Sequence, residues 1–198
     1  MTAREKRDRL VTAAKDLIYQ HSFARITLAA VAERAQVPLG NVYYYFRTRE
    51  ALLAAVIQAR QQELQALFAQ WEQLPDPRQR LLALVAQERA YSDDLIRYGC
   101  PYGSLCQELD KDDGPQTQAA AELFHAYLAW AERQFRLLGT GADEAKELAL
   151  DFIASLQGTL LLSASFRSAE LLDYRLRRLE TWIETHESSG QSSVASPQ

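Results

Sequence analysis

Leu39, Gly40, Asn41, Tyr43 and Tyr44 form a small, uncharged, aromatic set within one short stretch, and Asn41 with the Leu39–Tyr43 surface is suited to reading base edges. Arg25, Arg47 and Arg49 flank that stretch. Thr27 adds a hydroxyl at a helix N-terminus, and all four suit phosphate. The chemistry implied is recognition. No glycine-rich phosphate loop, no HExxH pair and no serine nucleophile motif occurs, and the acidic patch Glu108, Asp110, Asp112, Asp113 reads as a solvated turn, so an enzyme is not expected.

Two short helices must position these groups. Leu28, Val31, Ala32 and Ala35 recur at three- and four-residue steps, which predicts a helix over 27–35 with Thr27 as its N-cap. Gln36, Val37 and Pro38 interrupt it. Pro38 closes the turn and suits the first position of a second, unusually short helix. In that helix Val42, Tyr45 and Phe46 face inward and Leu39, Gly40, Asn41, Tyr43 and Tyr44 outward. This is a helix-turn-helix whose second helix fits the major groove. An earlier helix, with Leu10, Val11, Ala14, Leu17 and Ile18 as its stripe and Phe23 beyond it, packs beneath. Its basic start, with Arg4, Lys6 and Arg7, either reaches the DNA backbone or is a solvated helix end.

The run from Thr27 to Phe46 resembles the DNA-binding domain of the tetracycline-repressor (TetR) family of bacterial transcription regulators. The resemblance rests on the threonine opening the second helix, the V-x-x-G turn at Val37–Gly40, the Y-x-Y-F at Tyr43–Phe46, and Arg49, Glu50 and Leu52 after it. It implies phosphate contacts from Thr27, Tyr44 and Arg49. Two positions depart from the family pattern. Gln36 replaces the usual glycine, at a cost of about 1 kcal/mol if the turn has positive φ. Leu39 replaces a frequent lysine or arginine, which exchanges a basic contact for an apolar one suited to a thymine methyl.

Composition agrees with an all-α protein. Of 198 residues, 8 are glycine and 6 proline, and 47% are hydrophobic, with many Ala, Leu, Glu, Gln and Arg. The net charge of −4 is unevenly divided: residues 1–50 carry nine Lys and Arg against five Asp and Glu, whereas the remainder carries thirteen against twenty-one. A basic head and an acidic body suit a protein that touches nucleic acid with its head alone. No apolar segment follows a basic start, and the apolar stretch Leu148–Ala164 is broken by Asp151 and Gln157, so neither signal peptide nor membrane span is expected and the location is cytoplasmic.

Beyond the head, periodicity predicts a long helix from Arg49 to about Glu72, another from Asp76–Pro77 to about Arg97, an irregular segment over Gly99–Gly114, and a helix from Asp113–Pro115 to Gly139. Helices over about 143–166 and 168–187 follow. The first of these is apolar over a wide arc, more than its own core needs, which predicts that the two pair with their copies in a second chain through Phe152, Leu156, Leu160, Leu161, Leu172, Leu176, Leu179 and Ile183. The expected division is a helix-turn-helix domain over 1–48, a helical-bundle effector-binding and dimerisation domain over 49–187, and a disordered tail over 188–198.

The resemblance also implies a ligand pocket in the C-terminal bundle. Phe68, Tyr98, Tyr102, Phe124, Tyr127, Trp130, Phe152 and Gln157 are its candidate lining, suited to a flat or hydrophobic small molecule. Cys100 and Cys106 are either small packing residues or sensors of an oxidant or electrophile, the latter if Cys106 lies near the N-terminus of a helix begun by Ser104. With His21, His125 and His186 scattered, no metal site is expected, and no cofactor. The reading is a ligand-responsive repressor that binds a palindromic operator as a homodimer. The competing reading is a helical binding module without specific DNA binding.

Overall fold

The computed structural model describes residues 2–109 and 114–185, and every regular element in it is helical. The expected tail over 188–198, the end of the last helix at 186–187, and the acidic residues Asp110, Asp112 and Asp113 lie outside the described residues. In order, α1 spans Ala3–His21, a 3-10 turn Phe23–Arg25, α2 Leu28–Ala35, α3 Leu39–Tyr45 and α4 Arg49–Trp71. Then come α5 Pro77–Ala90, α6 Ser92–Tyr98, α7 Pro101–Leu109, α8 Pro115–Leu137, α9 Ala142–Phe166 and α10 Ala169–Thr185.

These helices fall into two compact units. The first joins the chain up to Gln65 with Pro101–Leu123; the second joins Ala66–Cys100 with the chain from Phe124 onward. In the first, α1 opens on a capping box: Thr2 accepts from the Glu5 amide at 3.2 Å while the Glu5 carboxylate accepts from the Thr2 amide at 2.8 Å. Its stripe is Leu10, Val11, Ala13, Ala14 and Ile18, all buried, with Leu17 only partly so. An ion pair between Lys15 and Glu63 ties α1 to α4.

The second unit is held by long-range arginine contacts and two aromatic clusters. Arg78 donates to the carbonyls of Ile183 and Glu184, and Arg167 to those of Ile96 and Arg97, so each guanidinium satisfies carbonyls at a helix C-terminus. Arg89 pairs with Asp173 and, at 2.8 Å, with Glu180, fastening α5 to α10. Phe68, Trp71, Tyr127 and Trp130 form one cluster, with Phe68 stacked on Trp130 at 5.2 Å. Phe135, Phe152 and Trp182 form the other.

Three expectations change. The helix expected to run from Pro77 to Arg97 breaks at Tyr91 into α5 and α6, and Gly99, at φ 79°, ends α6. The segment expected to be irregular contains α7, begun by Pro101, whose missing amide hydrogen costs nothing in a first turn. Cys106 is therefore inside a helix and away from its N-terminus, which removes the dipole argument for a reactive thiol; its Sγ donates to the Ala120 carbonyl at 3.3 Å.

The third change concerns the pairing face. Phe152, Leu156, Leu160, Leu172, Leu176, Leu179 and Ile183 are buried within this chain's own second unit, so they have no surface to offer a partner. Leu161 alone of that set is exposed. With Leu150, Leu162 and Phe166, which are 48–67% exposed, it lies outside the buried stripe of α9. By length and hydropathy alone α9 is long and apolar enough to cross a membrane; here one of its faces packs on α10 and α6.

Candidate nucleic-acid interface

The geometry of the interface begins at Thr27. Its backbone is extended and its hydroxyl accepts from the Ala30 amide at 3.1 Å, which fixes the start of α2. Val31, Ala32 and Ala35 bury the inner face of α2, and the helix ends at Gln36 with φ 53° and ψ 45°. The Val37 amide then donates back to the Ala32 carbonyl at 2.9 Å. That left-handed residue is the position where glycine is the unstrained choice, so Gln36 carries a strain of about 1 kcal/mol. Its side chain accepts from Arg9 at 3.0 Å in return.

Pro38 sits one position earlier than expected, as the N-cap of α3, with the Asn41 amide donating to its carbonyl at 2.8 Å. Val42 is fully buried and Phe46 nearly so, anchoring α3 to the core below. Tyr45 is only partly buried, a smaller anchor than expected, and its ring meets Tyr44 edge-on at 5.0 Å. Leu39, Gly40, Tyr43 and Tyr44 are exposed and Asn41 is partly so; Tyr44 reaches 79%. A Cβ placed on Gly40 would meet nothing within 4 Å. The fold therefore does not require glycine there, although a glycine inside a helix costs about 1 kcal/mol against alanine.

Arg25 and Arg47 are exposed beside this face. Arg49 is placed differently. Its guanidinium lies 4.7 Å from the centre of the Phe23 ring and donates to the Phe23 carbonyl, and its Nε is buried. The same turn is held from the other side by Glu108 of α7, which accepts from the Ser22 hydroxyl at 2.6 Å and from the Phe23 and Ala24 amides at 2.9 and 2.8 Å. Glu108 is thus a structural acceptor, and its reading as part of a solvated turn is corrected. Sequence offers no signal for this contact, because its partners lie more than 80 residues away. Arg7 covers Phe46 at 5.5 Å, giving the basic start of α1 a packing role as well.

The candidate effector residues do not form one group. Tyr102 and Cys106 lie in the first unit, Tyr102 beneath Arg60; Cys100, Phe124, Tyr127, Trp130, Phe152 and Gln157 lie in the second. Tyr127 and Trp130 belong to the Phe68 cluster, whereas Phe152 fills the core with Phe135 and Trp182. Both cysteines are thiols outside any disulfide, and among the described residues no cluster of His, Cys, Asp and Glu could hold a metal.

Residues 10–56 match the family model of bacterial regulatory proteins of the tetR family, and residues 77–175 that of the LmrA/YxaF-like transcriptional regulator C-terminal domain. The chain is 23% identical to the HTH-type transcriptional regulator LmrA of Bacillus subtilis, over 85% of this chain and 92% of that protein. It is 25% identical to an HTH-type transcriptional regulator from the lacX 3' region of Lactococcus lactis, over 91% and 94%. Among solved structures, a TetR family regulator from Cytophaga hutchinsonii shares its fold with a TM-score of 0.79 at 17% identity, over 94% of this chain and 98% of that one. The reduced form of Escherichia coli NemR does so with 0.71 at 22%, over 89% and 96%. These proteins are transcriptional regulators and not enzymes, and the helix-turn-helix of α2 and α3 is the DNA-binding element they share with this one: the chain belongs to the TetR family.

Proposed function

We propose that this regulator is a repressor, that it binds a palindromic operator as a homodimer, and that a small molecule held in its second unit releases it. The observation that carries the DNA-reading part is the outward face of α3. Leu39, Gly40, Asn41 and Tyr43 make a surface that is small, largely exposed and largely without a role in the fold, and Gly40 weakens the helix with no steric reason inside the protein. Entry of α3 into a major groove gives that surface its use. Arg25, Thr27 and Tyr44 then contact phosphate; Arg49, engaged with Phe23, acts on the interface by fixing the turn before α2.

A second chain would dock on the exposed face of α9. Leu150, Leu161, Leu162 and Phe166 are large apolar side chains left exposed along α9, and Gly158, with open space about it, permits close helix approach. Two recognition helices would then meet half-sites about 34–36 Å apart. Ligand binding favours release only to the extent that the ligand prefers the released arrangement. The protein would carry out this work in the cytoplasm.

The test is selection of bound sequences from a random duplex pool, with recovered sites retested at two salt concentrations. A palindrome whose affinity falls steeply with salt supports the reading. Recovery of nothing above non-specific binding, from reduced and refolded protein, would favour a helical binding module instead.

A further inference from the structure

The recognition helix carries no charge. Over Leu39–Tyr45, α3 includes neither a basic nor an acidic side chain. In a helix-turn-helix the base edges are met by the opening residues of the second helix, here Leu39, Gly40 and Asn41. The most frequent specific contact to a base is an arginine or lysine gripping O6 and N7 of guanine, and α3 has no side chain to make it. Basic side chains nearby are held to other groups or stand off the helix. Arg7 covers Phe46, Arg9 donates to Gln36 and Arg49 lies over Phe23, while the exposed Arg25 and Arg47 precede α2 and follow α3.

What α3 does offer is chemically narrow. The Asn41 backbone amide donates to Pro38, whereas its side-chain amide has no hydrogen bond among the described residues. Both ends of that amide are open, one an acceptor and the other a donor. Adenine presents the matching N6–H donor and N7 acceptor on one major-groove edge; guanine presents two acceptors there and leaves the Asn oxygen facing a lone pair. Leu39, 42% exposed, offers only apolar surface. A thymine methyl suits it, while the amino group of cytosine would lose water and gain no partner. Gly40 stands between the two, each about 100° away around the axis. A Cβ on it would meet no protein atom within 4 Å, and a bare backbone at that point lets the helix come close enough for both neighbours to reach the bases.

We propose that α3 specifies A·T base pairs: Asn41 grips an adenine at N6 and N7, and Leu39 packs on the methyl of a thymine at a neighbouring pair. The inference rests on the DNA-reading function proposed above and names the class of sequence it reads. Tyr43, one turn after Leu39 and on the same side, adds ring surface and no charge.

The test uses the full-length protein and the sites it selects from a random duplex pool. At each A·T pair of a half-site in turn, adenine is replaced by 7-deazaadenine, in which a C–H takes the place of the N7 acceptor, or thymine by uracil, which lacks only the methyl. For wild type, at least one deazaadenine position should weaken binding about tenfold and at least one uracil position about threefold. Asn41→Ala should be indifferent to the deazaadenine and still sense the uracil; Leu39→Ala should show the converse. Both residues lie outside the core, so both variants should keep the helicity of wild type. Wild type indifferent to both replacements at every position, selected half-sites sensitive at G·C pairs alone, or variants that keep both sensitivities overturn the A·T assignment and leave sequence-specific DNA binding standing. Failure to recover any site above non-specific binding overturns both.

Discussion

Glu108 accepts a 2.6 Å hydrogen bond from the Ser22 hydroxyl across 86 residues of sequence, and takes the Phe23 and Ala24 amides at the same carboxylate. The turn that leads into α2 is thus held by α7, with Ser22 at φ 78°. Glu108→Ala leaves those donors to water where it can reach them. Denaturant unfolding should show a loss of about 1–2 kcal/mol, and hydrogen exchange at Phe23 and Ala24 should accelerate more than elsewhere in the head.

Gly40 separates stability from recognition. With no atom within 4 Å of the place a Cβ would take, Gly40→Ala should stabilise the protein by about 0.5–1 kcal/mol in thermal or urea unfolding. The added methyl faces the groove, so operator affinity should fall at least tenfold. Unchanged affinity would remove Gly40 from the reading surface.

Arg25 and Arg49 should part company. Arg25→Ala should leave stability intact and lower the slope of log affinity against log salt by about one. Arg49→Ala removes a cation over the Phe23 ring and a donor to the Phe23 carbonyl, and should cost about 1–2 kcal/mol of stability. A calorimetric scan beside a salt titration distinguishes the two.

The two sides of α9 should also answer differently. Leu161→Glu, on the exposed side, should yield a folded monomer by sedimentation at micromolar concentration. Leu156→Ala, on the buried side, should cost about 2–5 kcal/mol of stability.

Glu88 gives a pH dependence of definite sign. Its carboxyl is raised by desolvation from 4.5 to about 7 in the folded chain, so between those values the folded state holds a proton that the unfolded state has released. Its contribution therefore favours folding below pH 4.5 and is lost as pH rises to 7 and beyond. Glu88→Gln should remove this component, and its melting temperature should exceed that of wild type at pH 8 by more than at pH 5.

What the sequence by itself determined is local. Thr27 as a cap, the three- and four-residue spacing of α2, the break at Gln36–Pro38 and the inward Val42 and Phe46 are all set by neighbours within a turn or two, so they are legible without the fold. The outward position of Leu39, Gly40, Tyr43 and Tyr44 follows from the same periodicity. Tertiary structure decided which side of an apolar helix meets its own chain. On α9 the wide apolar arc held two faces, and only packing on α10 and α6 assigned Phe152, Leu156 and Leu160 to the core and left Leu161 outside. It also decided the partners of charged groups. Arg49 turning to Phe23 and Glu108 crossing to Ser22 depend on which distant helices come together, and side-chain spacing along one helix carries no record of that.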